Sequence, residues 1–166
     1  MEIYMVRHAA TVPHGTPGVA EDDRPLTGEG IEKMHRASRG LAALGVLPEI
    51  ILTSPLPRAK QTAEIVQATL GDKIPLKLVS ALAPSGSRSE LYEEMQQHEN
   101  RASLMLVGHQ PSLGEIAGEI AWGSAENCLE LKKGGACCLD LLKLRPVPRG
   151  TLVWLLTPAV LRKMAR

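Results

Sequence analysis

The stretch EIYMVRHAAT, residues 2–11, joins a short apolar run to an adjacent arginine and histidine. The run from residue 2 to residue 6 has the length and the apolar, partly β-branched content of a buried strand. Open α/β folds bind their ligands at the carboxyl ends of their strands, which is where Arg7 and His8 would emerge. A guanidinium and an imidazole at that position indicate an anionic substrate.

Composition limits the classes of protein that this chain can belong to. The 166 residues are most simply one domain, residues 1–166, long enough to bury a single core without disulfides. A net charge of +1, with acids and bases mixed along the chain, gives no electrostatic signature of nucleic acid or of an anionic membrane as partner. No run approaches the roughly 18 apolar residues of a membrane span, and the first residues lack the features of a signal peptide.

The three cysteines are odd in number and lack the paired spacing of a zinc site. Their pattern is typical of reduced thiols, and we expect a cytoplasmic protein.

Strand-like and helix-like patterns alternate along most of the chain. This alternation predicts a mostly parallel sheet with helices on both faces, a three-layer αβα sandwich. The last third of the chain differs, because two strand-like runs there predict a hairpin of two strands at the sheet edge, followed by a short helix from Thr157 and Pro158. The predicted strands are 2–6, 49–53, 75–79, 102–107, 136–144 and 151–156, and the predicted helices before the hairpin are 28–45, 57–70, about 87–98 and about 111–121.

Cationic and imidazole side chains follow three of the predicted parallel strands. Arg7 and His8 end the first strand, Arg58 lies in the first turn of the helix after the second, and His109 follows the fourth. Because parallel strands end along one rim, we expect these four residues to converge. Two guanidiniums bind a phosphoryl group through forked hydrogen bonds, and nearby helix N-termini add N–H donors. The sequence therefore predicts a pocket for one phosphate.

Each of these residues also has an ordinary structural interpretation when it is taken alone. Arg7 and His8 could be surface residues, Arg58 a solvated helix residue, and His109 a loop histidine at a helix start. Neighbouring polar residues are interpreted in the same way: Ser54 as a turn residue, Thr62 as a helix-face residue, and the acidic residues 21–23 as a solvated loop. Their shared position at strand ends is what favours a common site.

Four short motifs in a fixed order identify a family. They are RHAAT (7–11), RPLTGEG (24–30), TSPLPRAKQTA (53–63) and VGHQ (107–110). They resemble, in order and spacing, the RHG, LTxxG, SxxxRAxxTA and second-histidine elements of the histidine phosphatase (phosphoglycerate-mutase-like) superfamily. The small size, the stretch ALAPSG (81–86) and the ending LVWLLTPAVLRKMAR (152–166) most resemble the SixA-type bacterial phosphohistidine phosphatases within it. The resemblance implies a phosphoglycerate-mutase-like fold.

The resemblance also assigns roles to residues. His8 would be the nucleophile that becomes phosphorylated, Arg7 and Arg58 would hold the phosphoryl oxygens, and His109 would complete the pocket. Thr11 occupies a position where the family often has a serine or threonine near the phosphate. No metal and no other cofactor is implied.

The sequence departs from the family pattern at several positions. Ala9 replaces the glycine of the RHG motif, and His14 stands where several members have asparagine. Gln110 differs from the His-Asp pair of the acid phosphatase and phytase branch. The segment from residue 82 to residue 86, LAPSG, stands where mutases carry a glutamate after the third strand, so neither usual proton donor is present.

The missing acid predicts the kind of substrate. A positioned general acid is worth roughly 10²–10⁴-fold when an alkoxide must leave. The leaving group of phosphohistidine is an imidazole with a reference pKa near 6.5, which departs far more easily. We therefore predict a metal-independent phosphatase that acts on phosphohistidine in a protein. The alternative is that another carboxyl group replaces the missing general acid, and the candidates are Glu21, Asp22, Asp23 and Glu90.

By resemblance the partner would be a histidine phosphotransfer domain of a sensor kinase or a phosphocarrier protein. No cap insertion is predicted over the pocket, and the rim formed by residues 11–24 and 84–92 is the expected docking surface. Two other functions stay open: a broad-specificity small-molecule phosphomonoesterase of the same superfamily, and an inactive phosphate-binding or adaptor module.

Overall fold

The structure is a computed structural model, and it describes residues 1–165. Strands and helices alternate up to the last helix before the hairpin, as predicted, with boundaries within a few residues of those expected. The strands are β1 (Glu2–Arg7), β2 (Ile51–Thr53), β3 (Leu76–Leu78), β4 (Ser103–Gly108), β5 (Ala136–Lys143) and β6 (Arg149–Leu156). The helices are α1 (Gly28–Ala43), α2 (Pro57–Leu70), α3 (Arg88–Gln96), α4 (Ser112–Trp122) and α5 (Pro158–Met164).

The strands form one mixed sheet in the order β3-β2-β4-β1-β5-β6. The first four strands of that order run parallel, whereas β5 runs antiparallel to both β1 and β6. The prediction that both hairpin strands lie at the sheet edge is wrong for β5, because its backbone pairs with β1 along most of its length. Only β6 is an edge strand of the hairpin.

Helices cover both faces of the sheet and enclose two apolar layers, which confirms the three-layer architecture. Leu91 and Met95 of α3 lie in one layer with the apolar face of α4. Met34 and Leu41 of α1 lie in the other layer with residues of α2 and α5. The central parallel strands β1, β2 and β4 are largely buried on both faces, and this accounts for their nearly continuous apolar sequences, whereas the edge strand β3 is largely exposed.

Local sequence signals set several helix boundaries. The Thr27 side chain accepts a hydrogen bond from the Gly30 amide at the start of α1, and the Thr157 side chain accepts one from the Val160 amide at the start of α5. Gly45, with a φ of 78°, follows the end of α1. Within residues 1–165, no helix combines the length and the hydropathy that crossing a lipid bilayer requires.

Candidate active site

The register of the central strands places the two predicted histidines side by side. Arg7 of β1 pairs with Gly108 of β4 in parallel register, so His8 and His109 leave neighbouring strands at the same height. The backbone amide of His8 donates to the Gly108 carbonyl at 3.0 Å. Both imidazoles are buried, and their ring centroids are 5.2 Å apart. The convergence of these residues at the carboxyl edge follows directly from the parallel pairing.

The His8 ring is held in one orientation by its own loop. Its Nδ1 atom lies 2.8 Å from the carbonyl oxygen of Ala9, so Nδ1 carries the ring proton and donates it to that oxygen. Nε2 then keeps its lone pair, as a nucleophile requires. None of the non-glycine residues in 1–165 has a positive φ, and the backbone at Ala9 therefore accommodates alanine in place of the family's glycine.

Helix α2 fixes the same loop through a buried threonine. The Thr62 hydroxyl accepts a hydrogen bond from the Ala9 amide at 3.0 Å and donates one to the Arg58 carbonyl at 2.7 Å. Thr62 thereby connects the loop of one predicted catalytic residue to the helix of another. The interpretation of Thr62 as a simple helix-face residue is therefore wrong. The SxxxRAxxTA motif, in which Thr62 is one of the specified residues, was the available signal.

We expect Thr62→Val to lower kcat/KM by about 10- to 100-fold, because the loop that carries His8 loses its anchor and the reacting groups shift. The variant also leaves the buried Ala9 amide without its acceptor, which should lower the free energy of unfolding by roughly 1–3 kcal/mol. Steady-state kinetics and urea unfolding measure the two effects.

Thr69→Val is the matched control for that variant. The Thr69 hydroxyl makes the same kind of bond within α2, to the Ile65 carbonyl at 3.0 Å. Among the described residues it forms no hydrogen bond with the His8 loop. Equal kinetic effects of the two substitutions would contradict a positioning role for Thr62.

Helix α1 contacts the other side of the loop. A Cβ atom built on Gly30 would lie 2.2 Å from the Ala10 carbonyl oxygen, so only glycine fits there. The Thr27 amide donates to the same carbonyl at 3.1 Å. The close contact at Gly30 explains the glycine of the LTxxG element, and the helix-capping bond from the Gly30 amide to the Thr27 hydroxyl explains its threonine.

Arg7 and Arg58 flank the two imidazoles. One terminal nitrogen of Arg7 donates to the Leu131 carbonyl at 2.8 Å, and one of Arg58 donates to the Glu21 carbonyl at 3.1 Å. The Nε atom of each guanidinium is buried and has no partner in the described part of the chain. Both side chains are therefore oriented by backbone oxygens and keep buried donors for a ligand, as an anion site requires.

Ser54 orients the second imidazole. Its hydroxyl lies 2.8 Å from Nε2 of His109, and it accepts a hydrogen bond from the Leu56 amide at 3.3 Å. The hydroxyl donates to Nε2 in the tautomer that carries the ring proton of His109 on Nδ1, since an unprotonated ring nitrogen accepts. Within residues 1–165 that buried Nδ1 has no acceptor. The turn interpretation of Ser54 missed this contact.

Burial and nearby cations keep both imidazoles neutral. Burial, with the Arg58, Arg7 and Lys133 charges, lowers the pKa of His8 to about 4. Burial, His8 and the two guanidiniums lower the pKa of His109 to about 3. Both imidazole rings are therefore uncharged at neutral pH, and the arginines supply positive charge to the site.

These shifts predict a pH dependence of folding. The unfolded chain binds protons on both histidines below about pH 6.5, whereas the folded chain binds them only near the lowered pKa values. The free energy of unfolding should therefore fall as pH decreases from about 6.5 to about 4. His109→Asn should show a smaller fall over that window in urea unfolding at a series of pH values. Identical slopes for the two proteins would contradict the neutral buried state of His109.

A loop of residues 11–24 borders the arginines. Arg24 donates to the Thr11 hydroxyl at 2.8 Å and to the Glu21 carboxylate at 2.5 Å, and its charge contributes to lowering the pKa of Arg58. The Thr11 hydroxyl, which the sequence predicts beside the phosphate, therefore accepts from Arg24. His14 is exposed and pairs with Glu21. Arg24 begins the RPLTGEG motif, but nothing in the sequence pattern predicted its contact with Thr11.

The candidate substitute acids are exposed carboxyls of the 11–24 loop and of α3. Hydrogen bonds from His14 and Arg24 lower the pKa of Glu21 to about 2, so its carboxyl is ionised at neutral pH. The solvated loop predicted at 21–23 is a short 3-10 turn with exposed side chains. Glu90 lies in the exposed first turn of α3.

The segment that replaces the mutase acid lies beside the end of β4. A Cβ atom built on Gly108 would be 3.3 Å from the Leu82 carbonyl, so the start of the segment 82–86 lies next to the residue before His109. None of its side chains carries a carboxyl group. The Gln110 amide donates to the Leu129 carbonyl at 2.6 Å. Within residues 1–165, no cluster of three or more His, Cys, Asp or Glu side chains could hold a metal ion.

The fold and the site together define a class of protein, an α/β phosphatase with buried guanidiniums and neutral imidazoles at the carboxyl edge of its sheet. The family model of the histidine phosphatase superfamily (branch 1) matches residues 3–103. The chain belongs to the histidine phosphatase superfamily, and it is a phosphatase of that superfamily.

Two relatives and one solved structure are similar to the chain over most of its length. An uncharacterised protein of Picosynechococcus sp. is 43% identical over 81% of this chain and 82% of its own length. The phosphohistidine phosphatase SixA of Escherichia coli is 26% identical over 100% of this chain and 99% of its own. A structure of the protein histidine phosphatase SixA complexed with tungstate superposes with a TM-score of 0.83 at 24% identity, covering 96% of this chain and 98% of that one. The fold is therefore that of SixA and of phosphoglycerate-mutase-like proteins, as the sequence predicts.

Proposed function

We propose that this phosphatase hydrolyses phosphohistidine on a protein through a covalent phosphohistidine at His8. The observation that carries the proposal is the combination of a free Nε2 on a neutral His8 with the lack of a carboxylic acid in the segment 82–86. Such a site suits a substrate whose leaving group departs without a strong proton donor. The similarity to the phosphohistidine phosphatase SixA supports the same substrate.

In the first step, Nε2 of His8 attacks phosphorus and the bond to the leaving imidazole breaks. The transferring group resembles metaphosphate, so catalysis depends mainly on positioning and charge. Arg7 and Arg58 stabilise phosphoryl oxygens through their guanidinium groups. In the tautomer in which Ser54 donates to Nε2, the Nδ1–H group of His109 donates a hydrogen bond to another phosphoryl oxygen. Water then attacks the phosphorus of phosphorylated His8, and the bonding electron pair returns to Nε2.

Arg7 and Arg58 supply two positive charges to the transferring group, and the donors around it all belong to side chains of this chain. The proposal therefore needs no metal ion in either step. The partner we propose is a phosphohistidine-bearing phosphotransfer domain or phosphocarrier protein. The partner would dock on the rim of this chain that includes the 11–24 loop and residues 84–92.

The experiment compares two phosphoryl donors at equal concentration: a phosphohistidine-bearing phosphotransfer domain and a panel of alkyl phosphates that includes 3-phosphoglycerate and phosphoserine. We expect kcat/KM for the phosphohistidine protein to exceed that for the alkyl phosphates by at least about 100-fold, the scale of one missing general acid. Faster hydrolysis of the alkyl phosphates would instead establish a small-molecule phosphomonoesterase. Absence of turnover on every donor would leave a phosphate-binding module.

A further inference from the structure

Arg24 joins the two ends of the 11–24 loop. One terminal nitrogen of its guanidinium donates to the Thr11 hydroxyl at 2.8 Å and to the Val12 carbonyl at 3.0 Å, and the other donates to the Glu21 carboxylate at 2.5 Å. Only 14% of the Arg24 side chain is exposed. The start of the loop is therefore connected to its end through one largely buried guanidinium.

The loop has no apolar anchor of its own. None of the residues 12–25 is buried, and none belongs to either apolar layer of the core. The Val12 amide donates to the Pro25 carbonyl at 3.1 Å and closes the base of the loop. The path of the chain above that base therefore depends on turns and polar contacts, to which the Arg24 guanidinium contributes three hydrogen bonds.

The same loop orients Arg58. A terminal nitrogen of Arg58 donates to the backbone carbonyl of Glu21 at 3.1 Å, and among the described residues this is the one hydrogen bond of that guanidinium. Arg24 binds the side chain of the residue whose carbonyl Arg58 uses. Loss of the Arg24 contact would release Glu21, and with it the acceptor that fixes the Arg58 side chain.

The charges near Arg58 allow this effect to be separated from electrostatics. Burial lowers the pKa of Arg58, the Arg24 charge lowers it further, and the Glu21 and Asp22 charges oppose both. Replacement of Glu21 by alanine removes a negative charge near Arg58, which by charge alone would favour a bound anion. Because the same replacement also removes the carboxylate that Arg24 holds, position and charge predict effects of opposite sign.

We propose that Arg24 is a positioning residue of this phosphatase, which holds Glu21 so that the Glu21 carbonyl orients Arg58 toward the phosphoryl group. The inference rests on one part of the proposed function, in which Arg58 binds the phosphoryl group. It does not depend on whether the substrate is phosphohistidine. Arg24 acts through Glu21 and does not itself touch the phosphoryl group.

The test is a double-mutant cycle of Arg24→Ala and Arg58→Ala, with the Kd for inorganic phosphate measured by titration calorimetry. We expect Arg24→Ala alone to raise the Kd by about tenfold, which is part of the roughly 100-fold rise expected when Arg58 is removed. In the Arg58→Ala background, Arg24→Ala should change the Kd by less than about twofold, because residues that act through one contact are not additive. A structural role alone would not produce this coupling.

Variants of two loop acids separate position from charge. Glu21→Ala should raise the Kd for phosphate by about threefold, the scale of one exposed ion pair, although it removes a negative charge. Asp22→Ala is the charge-matched control, since the three hydrogen bonds of Arg24 go to other residues, and it should not weaken phosphate binding. Both acids are exposed, so neither replacement removes a core contact. Arg24→Lys keeps the charge and should recover only part of the affinity that Arg24→Ala loses.

Three outcomes would overturn the inference while Arg58 remains a phosphoryl ligand. They are an unchanged Kd in Arg24→Ala, an equal rise of the Kd in both backgrounds, and tighter phosphate binding in Glu21→Ala. The equal rise would make Arg24 a direct ligand of the anion. A failure of the proposed function gives a different result, because Arg58→Ala would then leave the Kd unchanged, and the inference would fail with it.

Discussion

Replacement of His8 by alanine is expected to lower kcat by at least about 10⁴-fold, the scale on which loss of a catalytic nucleophile acts. The reason is that the variant removes the nucleophile itself: Nδ1 of His8 is fixed on the Ala9 carbonyl, which leaves the lone pair of Nε2 for the attack on phosphorus. Phosphate binding should change by less than about threefold, because the two guanidiniums that hold the anion remain. Kinetics on a phosphohistidine protein and calorimetric titration with inorganic phosphate measure the two effects.

His35→Ala is the matched control for this variant. His35 is an exposed histidine on α1, and its replacement should leave kcat and phosphate binding unchanged. Because His8 is buried, thermal unfolding of His8→Ala must show a folded protein before its kinetics are interpreted. A folded His8→Ala variant with kcat within about tenfold of wild type would contradict a nucleophilic role.

Replacement of Arg58 by alanine is expected to reduce both binding and turnover. A buried guanidinium with a free Nε donor supplies charge-assisted hydrogen bonds, each worth about 1.5–3 kcal/mol. Loss of one such contact should raise the Kd for inorganic phosphate by about 100-fold, and kcat/KM should fall by about 10³-fold because the transition state carries more charge on the same oxygens. Titration calorimetry and steady-state kinetics measure these changes.

Two further variants serve as controls for the Arg58→Ala result. Arg36→Ala removes an exposed arginine of α1 and should have no effect on either quantity. Arg58→Lys keeps the charge but loses the planar fork, and it should recover only part of the lost affinity. If Arg58→Ala changed kcat while leaving phosphate affinity intact, Arg58 would not be a phosphoryl ligand.

The convergence of the four predicted residues could be derived from the sequence because parallel strands end at one rim. Arg7, His8 and His109 directly follow or end buried strands, and the β1–β4 register fixes their relative height. Arg58 follows from the helix start at Pro57. In each case the backbone of a regular element determines the position, and periodicity in the sequence is enough to locate that element.

The supporting residues were harder to predict, because their roles depend on side-chain contacts between distant elements. Ser54 reaches His109, and Thr62 reaches the His8 loop, only once the helices are docked on the sheet. Arg24 lies in an irregular segment whose path no periodicity predicts. The SxxxRAxxTA motif contains Ser54 and Thr62, but the pattern does not show which residues they contact.

The hairpin shows a similar limit. Two apolar runs after α4 predict strands, yet the pattern alone does not reveal that β5 inserts beside β1 instead of remaining at the edge. The burial of Ala136 to Leu139 is consistent with an interior strand, but a run of only four apolar residues does not by itself distinguish an interior strand from an edge strand.

The central claim is that His8 forms a covalent bond to the phosphoryl group, and trapping that intermediate tests it most directly. The protein is mixed with a labelled phosphohistidine protein, quenched in alkali within milliseconds, and mapped by mass spectrometry under conditions that preserve phosphohistidine. We predict an acid-labile, alkali-stable phosphate on His8 that disappears in His8→Ala and persists in His35→Ala. Label on another residue, or turnover with no label on the protein at any time, would contradict the account.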